Sequence, residues 1–174
     1  MATQINGSQI QSDGNLQFST TDGVVATHYT DGTVTTPQRP WFKYSSQNTG
    51  NPWDVYNQQF SGTNNGGDGQ VGNCFDTGNG RFTAPRTGLY HFNLSHITTG
   101  NNSDTRIACY INGSYHFRRS IVVHTNGPHH NNANQGHTCY LAEGDYVQAA
   151  DHSGGNSHQG TWNCFNGYYV GEYS

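Results

Sequence analysis

Between Gly80 and Leu94 the chain reads GRFTAPRTGLYHFNL, and this stretch limits the fold more than any other. Tyr90, Phe92 and Leu94 recur at every second position, opposed by His91, Asn93 and Ser95. A period of two belongs to a strand with one buried face. Phe82 lies in a shorter extended run before it, and Pro85 and Gly88 punctuate the space between. Strand, corner, strand is the pattern, because Pro stops ladder pairing and Gly permits the bend.

The remainder of the chain repeats this pattern. Turn-bounded apolar runs follow one another from WFKYSS through GQVGNCFD, GRFTAP, GLYHFNLSHI, TRIACYI, SYHFRRSIVVH, GHTCYLA and DYVQAAD to GTWNCFNGYYVGEY. Their spacing of roughly 10 residues is the rhythm of a sandwich or jelly roll. Ile107, Cys109 and Ile111 share a face just before Asn112-Gly113, a dipeptide that favours a type I′ hairpin turn. Helix-filling residues are scarce, with four Leu, one Lys and two Glu in 174 residues against 23 Gly. The expected fold class is therefore all-β. Only 31% of the chain is hydrophobic, and 22 of those residues are Phe, Tyr or Trp, so the core is expected to be aromatic, small and completed by neighbouring subunits.

Charge excludes several partners. Charged residues make up 10% of the chain and the net charge is -4, which leaves no basic face for phosphates and no acidic tail. Nucleic acid is not an expected partner. The first ten residues, MATQINGSQI, have no basic and apolar leader, and no apolar run approaches ~18 residues, so neither a secretory signal nor membrane insertion is expected. Folding in a cytoplasm follows. Cys74, Cys109, Cys139 and Cys164 form no Cys-x-x-Cys pair and lie in or beside apolar runs, as buried free thiols do. Two disulfides remain an alternative, with the connectivity open.

The N-terminal region is organised differently. Asp-Gly recurs at 13/14, 22/23 and 31/32, a nine-residue period, with Leu16, Val25 and Val34 each three positions after the Asp. Each unit is expected to be a tight turn and a short strand. Three such units cannot enclose a core alone. They either fold onto the main domain as a meander or are wound with partner copies or seated on another protein, and the second alternative is preferred. Residues 1–36 are assigned as a docking and oligomerisation segment, with Ile5, Ile10, Leu16, Phe18, Val25 and Val34 as its docking side chains. Pro37 and Pro40 mark a stiff linker at 37–40, and a head occupies 41–174.

Four elements of that head occur in a recognisable order. Phe75-Asp76 precedes Gly80-x-Phe82-x-Ala84-Pro85 and Gly88-x-Tyr90-x-Phe92. YINGS at 110–114, LAEGDYV at 141–147 and FNGYYV at 165–170 follow. Together they resemble the globular head of complement component one, subcomponent q, in the tumour necrosis factor-like jelly-roll superfamily. The resemblance implies a jelly-roll sandwich of about ten antiparallel strands, packed as a homotrimer. It implies further that Phe82, Tyr90, Phe92, Leu94, Phe165 and Tyr169 serve the core and the trimer, with inner-sheet aromatics meeting near the threefold axis. No Gly-x-y collagen stalk is present, and FD stands where the family usually has Tyr-Asp. A bacterial or viral version of the fold is implied.

Catalytic machinery is not visible. GDGQVG at 67–72 matches Gly-x-Gly-x-x-Gly but opens no helix, and neither a Gly-x-Ser-x-Gly elbow nor a His-Glu-x-x-His pair occurs. The paired carboxylates of a glycan hydrolase are not evident. No enzyme activity, cofactor or metal is expected. His129, His130 and His137, with His152 and His158, fall in Asn/Gly/Ser-rich segments assigned as ligand-binding loops. His91 and His96 are expected on a strand, facing outward or an interface. Trp41, Trp53 and Trp162 offer sugar-stacking faces, although packing is the commoner use of Trp.

These features together lead to one functional expectation: a trimeric, non-enzymatic virion protein of a bacteriophage. It would be a fibre or head appendage attached through residues 1–36 to another virion protein, displaying a head that binds host-surface glycan or protein. The alternative is a capsid decoration protein that cements the particle and recognises no host. Both place the chain on the particle exterior after folding in the host cytoplasm.

Overall fold

A computed structural model describes residues 14–20, 23–35, 39–46, 60–61, 69–100, 104–122, 129–151, 156–157 and 163–172. The chain divides into two compact units, Met1–Arg39 and Pro40–Ser174.

The first unit holds a three-stranded antiparallel sheet of β1 (Leu16–Thr20), β2 (Gly23–His28) and β3 (Val34–Thr35), in that order. The Asp-Gly turn between β2 and β3 forms as its chemistry requires. Asp31 Oδ1 accepts the Thr33 N–H at 2.8 Å, which also lowers the Asp31 pKa, and Gly32 takes φ 86°. The β1–β2 register shifts after Phe18, which pairs with Ala26 while Ser19 pairs with Val24. Val25 is thus the bulged residue of a two-against-one step. Phe18 and Val34 remain 42% and 51% exposed. Ile5 and Ile10 lie outside the described residues.

The second unit contains β4 (Trp41–Ser46), β5 (Phe60–Ser61), β6 (Gly69–Val71), β7 (Phe75–Asp76), β8 (Arg81–Thr83) and β9 (Gly88–Gly100). It continues with β10 (Asp104–Ile111), β11 (Ser114–Val122), β12 (His129–Leu141), β13 (Tyr146–Asp151), β14 (Asn156–Ser157) and β15 (Cys164–Gly171). A five-stranded sheet in the order β11-β10-β13-β8-β7 faces a larger sheet whose path is β12-β9-β15-β4-β5, with β6 beside β4 and β14 beside β9. This is an all-β jelly-roll sandwich.

The alternation along β9 decides which face is buried. Tyr90, Phe92 and Leu94 are at most 2% exposed, and His96 shares their face and is fully buried. His96 therefore is not the outward residue expected for it. Phe42 is the hub of the interior, stacked on Phe75 at 4.5 Å and Phe82 at 5.1 Å, with Phe165 edge-on at 4.8 Å. Gly167 explains the Phe-x-Gly-aromatic spacing of β15. A Cβ there would meet Phe92 Cδ1 at 2.6 Å and Phe42 Cε1 at 2.8 Å, so only glycine lets both rings lie on the strand.

One chain closes this interior by itself, which corrects the expectation that neighbouring subunits complete it. Phe82, Tyr90, Phe92, Leu94, Phe165 and Tyr169 are all sealed between the two sheets of the isolated chain. They are core residues of one chain. Aromatic rings fill the space that the missing aliphatics would take, since each buries far more area than a Leu or Val.

The turns confirm local chemistry and add a link between them. Asn112 and Gly113 take φ 50° and 74°, the type I′ geometry expected of Asn-Gly. Asn112 Nδ2 donates to Asp145 Oδ1 at 2.8 Å, and Asp145 Oδ2 accepts the Ala142 N–H at 2.8 Å. The Asp of the Gly-Asp pair thus ties two neighbouring turns together.

Two strand expectations change. GQVGNCFD is not one strand: Gly72 and Asn73, at φ 88° and 47°, turn the chain so that β6 joins the large sheet and β7 the small one. The segment from His129 is a strand as well, because thirteen residues of β12 pair with the full length of β9.

All four cysteines are free thiols, two of them buried. Desolvation raises Cys74 and Cys139 from 9.0 to about 11 and lifts Cys109 well above that ordinary value. Burial likewise pushes the Tyr90 hydroxyl to about 12 although it donates to the Arg86 carbonyl at 2.6 Å. The folded chain holds these protons where the unfolded chain releases them. Their stabilising contribution is complete below about pH 9 and is lost as pH rises toward 11 to 12. Urea midpoints measured from pH 7 upward should be level to about 9 and then fall; a midpoint that holds to pH 11 would contradict this burial.

Candidate functional site: the outward face of the large sheet

The strand parity that buries Tyr90 and Phe92 presents their neighbours on the other side of the large sheet. Register then aligns these neighbours in rows. Thr138 pairs with His91, His91 with Tyr168, and Tyr168 with Trp41, a row crossing β12, β9, β15 and β4. One step along, Gly136, Asn93, Asn166 and Lys43 form the next row.

A hydrogen-bonded spine runs through both rows. His91 Nδ1 lies 2.8 Å from Thr138 Oγ1, and His91 Nε2 lies 3.2 Å from Asn93 Oδ1. Asn93 Nδ2 donates to Asn166 Oδ1 at 3.3 Å, and Asn166 Nδ2 reaches Cys164 Sγ at 3.6 Å. Directions are self-consistent when His91 carries its proton on Nε2 and accepts from the Thr138 hydroxyl. Gly136 leaves room for this arrangement, since a Cβ there would sit 3.0 Å from Asn93 Oδ1. Beside the spine lies a hollow of about 320 Å³ bordered by Asn93, Asn134, Gln135 and Asn166.

Aromatic surface flanks the polar spine. Trp41, Tyr140 and Tyr168 are 39%, 54% and 45% exposed, and Val170 adds to them at the β15 bulge. Tyr168 also packs on the His91 ring at 5.4 Å. Exposed aromatic surface of this kind, beside amides, is suited to burial against a partner. Lys43 adds a formal charge to the second row.

The predicted ligand residues are placed elsewhere. His129, His130 and His137 belong to strand β12 and not to loops. The long β9 template makes the strand, and a run that is polar on both faces hides the period. His137 points to the side opposite the spine, where its Nε2 lies 3.0 Å from His116 Nε2. His152, His158, Trp53 and Trp162 lie outside the described residues. Thr138, Tyr140 and Asn166 carry no site assignment from sequence, and Tyr168 enters there only within FNGYYV. Parity against Phe165 and Tyr169 was the available signal for Asn166 and Tyr168.

The sequence profile of the C1q domain family matches residues 69–170. The chain belongs to the C1q domain family. No relative among curated proteins matches it. C1q domains are jelly rolls that typically act as trimeric, non-enzymatic modules. Within this C1q domain the motif residues have structural duties. Gly88 admits the Tyr169 ring, which a Cβ would meet at 2.5 Å, Gly167 admits Phe42 and Phe92, and Asp145 ties the turns.

Proposed function

We propose that the chain is a homotrimer assembled through the outward face of the large sheet and that it is a non-enzymatic appendage of a virus particle. The observation that carries the trimer is the exposed aromatic row at Trp41 and Tyr168 beside a polar spine that is already paired within the chain. Such a face loses water from its rings on association without leaving its amides unpaired. C1q domains commonly form homotrimers, which favours the same stoichiometry.

Attachment to the particle is assigned to residues 1–36, and host-surface glycan or protein to the head. The nine-residue Asp-Gly period, the exposed Phe18 and Val34, and the low-charge Asn/Gly/Thr/Ser composition support this reading. Trimeric display strengthens weak sites through avidity. The test uses particles that carry the chain. A Phe18→Asp, Val34→Asp chain should remain trimeric and fail to join them, while the parent trimer binds host cells or a glycan array. A parent trimer that joins particles and binds neither cells nor glycans would replace host recognition with the cementing role. Unimpaired incorporation of the double variant would overturn the docking assignment.

A further inference from the structure

Among the described residues the two sheets end side by side. Strand β11 ends the small sheet and β12 ends the large one. One histidine from each meets there, His116 and His137, with Nε2 atoms 3.0 Å apart and rings at 66°. We propose that this pair is a binding site for a divalent transition metal ion of the Cu²⁺ or Ni²⁺ type, which would clamp the two edge strands together.

Distance selects the class of metal. Nitrogens bind such ions at about 2.05 Å, so two of them 3.0 Å apart subtend about 94° at the metal. A tetrahedral ion asks for ~109° and a wider pair, whereas the cis angle of a tetragonal or octahedral ion is ~90°. Imidazole is a good ligand for both Cu²⁺ and Ni²⁺. Among the described residues no group of three His, Cys, Asp or Glu is close enough to enclose an ion. From the described residues the ion would take two nitrogens, with water or an exogenous ligand completing its shell.

The pair is chemically ready for this role. At 3.0 Å one ring donates its Nε2 proton and the other accepts it. On binding, the donor ring carries its proton on Nδ1 instead, so both Nε2 lone pairs face the metal with no net proton released from two neutral rings. His116 is exposed, so an ion reaches the site from solvent.

The full chain, stripped with a chelator, would be titrated with CuCl₂ and separately with NiCl₂ by calorimetry, with thermal unfolding followed in parallel. Expected is a rise in melting temperature for the parent chain, and loss of that rise with at least tenfold weaker binding for His116→Gln. Copper bound to the parent chain should show two imidazole nitrogens by electron paramagnetic resonance, and His28→Gln in the N-terminal unit should leave both readouts unchanged. His137→Gln should match His116→Gln; if it does not fold, the exposed His116→Gln decides. Metal binding and a melting shift that are the same in His116→Gln as in the parent would overturn the site, whatever other histidines contribute.

Discussion

A Phe42→Ala chain is expected to unfold with about 4 kcal/mol less free energy than the parent at equal protein concentration in urea. Phe42 is 1% exposed and touches four other rings, at 4.5 Å for Phe75, 4.8 Å for Phe165, 5.1 Å for Phe82 and 6.2 Å for Phe92. Removing it takes away a large apolar transfer term and leaves a cavity that its neighbours fill poorly. They are themselves wedged against each other, as Phe82 is against Tyr90 and Phe92. The glycine beneath it cannot help, because Gly167 has no side chain to move into the space. A loss below about 1 kcal/mol would mean that the interior repacks like a liquid and that the ring hub is not the centre of the core.

The second large effect concerns association and leaves the fold intact. Tyr168→Asp places a carboxylate in the middle of the aromatic row, between His91 and Trp41. Centrally placed interface tyrosines are worth about 2–4 kcal/mol each when truncated, and a buried unpaired charge adds to that. Repeated in each copy, the substitution should reduce the chain to monomers at micromolar concentration. Its far-ultraviolet circular dichroism should match the parent, because Tyr168 faces away from the Phe42 hub. A Tyr168→Asp chain that stays trimeric would move the contact to another surface.

Much of the fold was legible because one face of each central strand is apolar and the other polar. Tyr90, Phe92 and Leu94 announced β9, and Asn112-Gly113 announced its hairpin with the correct turn type. Where both faces are polar, period two disappears, so the first half of β12 reads as a His-rich loop and only GHTCYLA as a strand, although β9 pairs with β12 over thirteen residues. The corner at Gly72-Asn73 was hidden for a different reason. A sheet switch needs two positive φ values but leaves the apolar residues on either side looking like one run. The largest error was energetic. A scarcity of Leu and Val was equated with an incomplete interior, whereas seven well-buried rings of Phe and Tyr around Phe42 close it within one chain. With Tyr90 and Phe92 inside, the proposed partner surface is the opposite face, which carries His91, Asn93, Asn166 and Tyr168.

The central claim is that three copies meet over that surface, and the mass of the intact chain in dilute solution tests it most directly. Light scattering on a size-exclusion column at micromolar concentration should give three times the 19.1 kDa of one chain. A single species at 19.1 kDa, cooperatively folded, would contradict it.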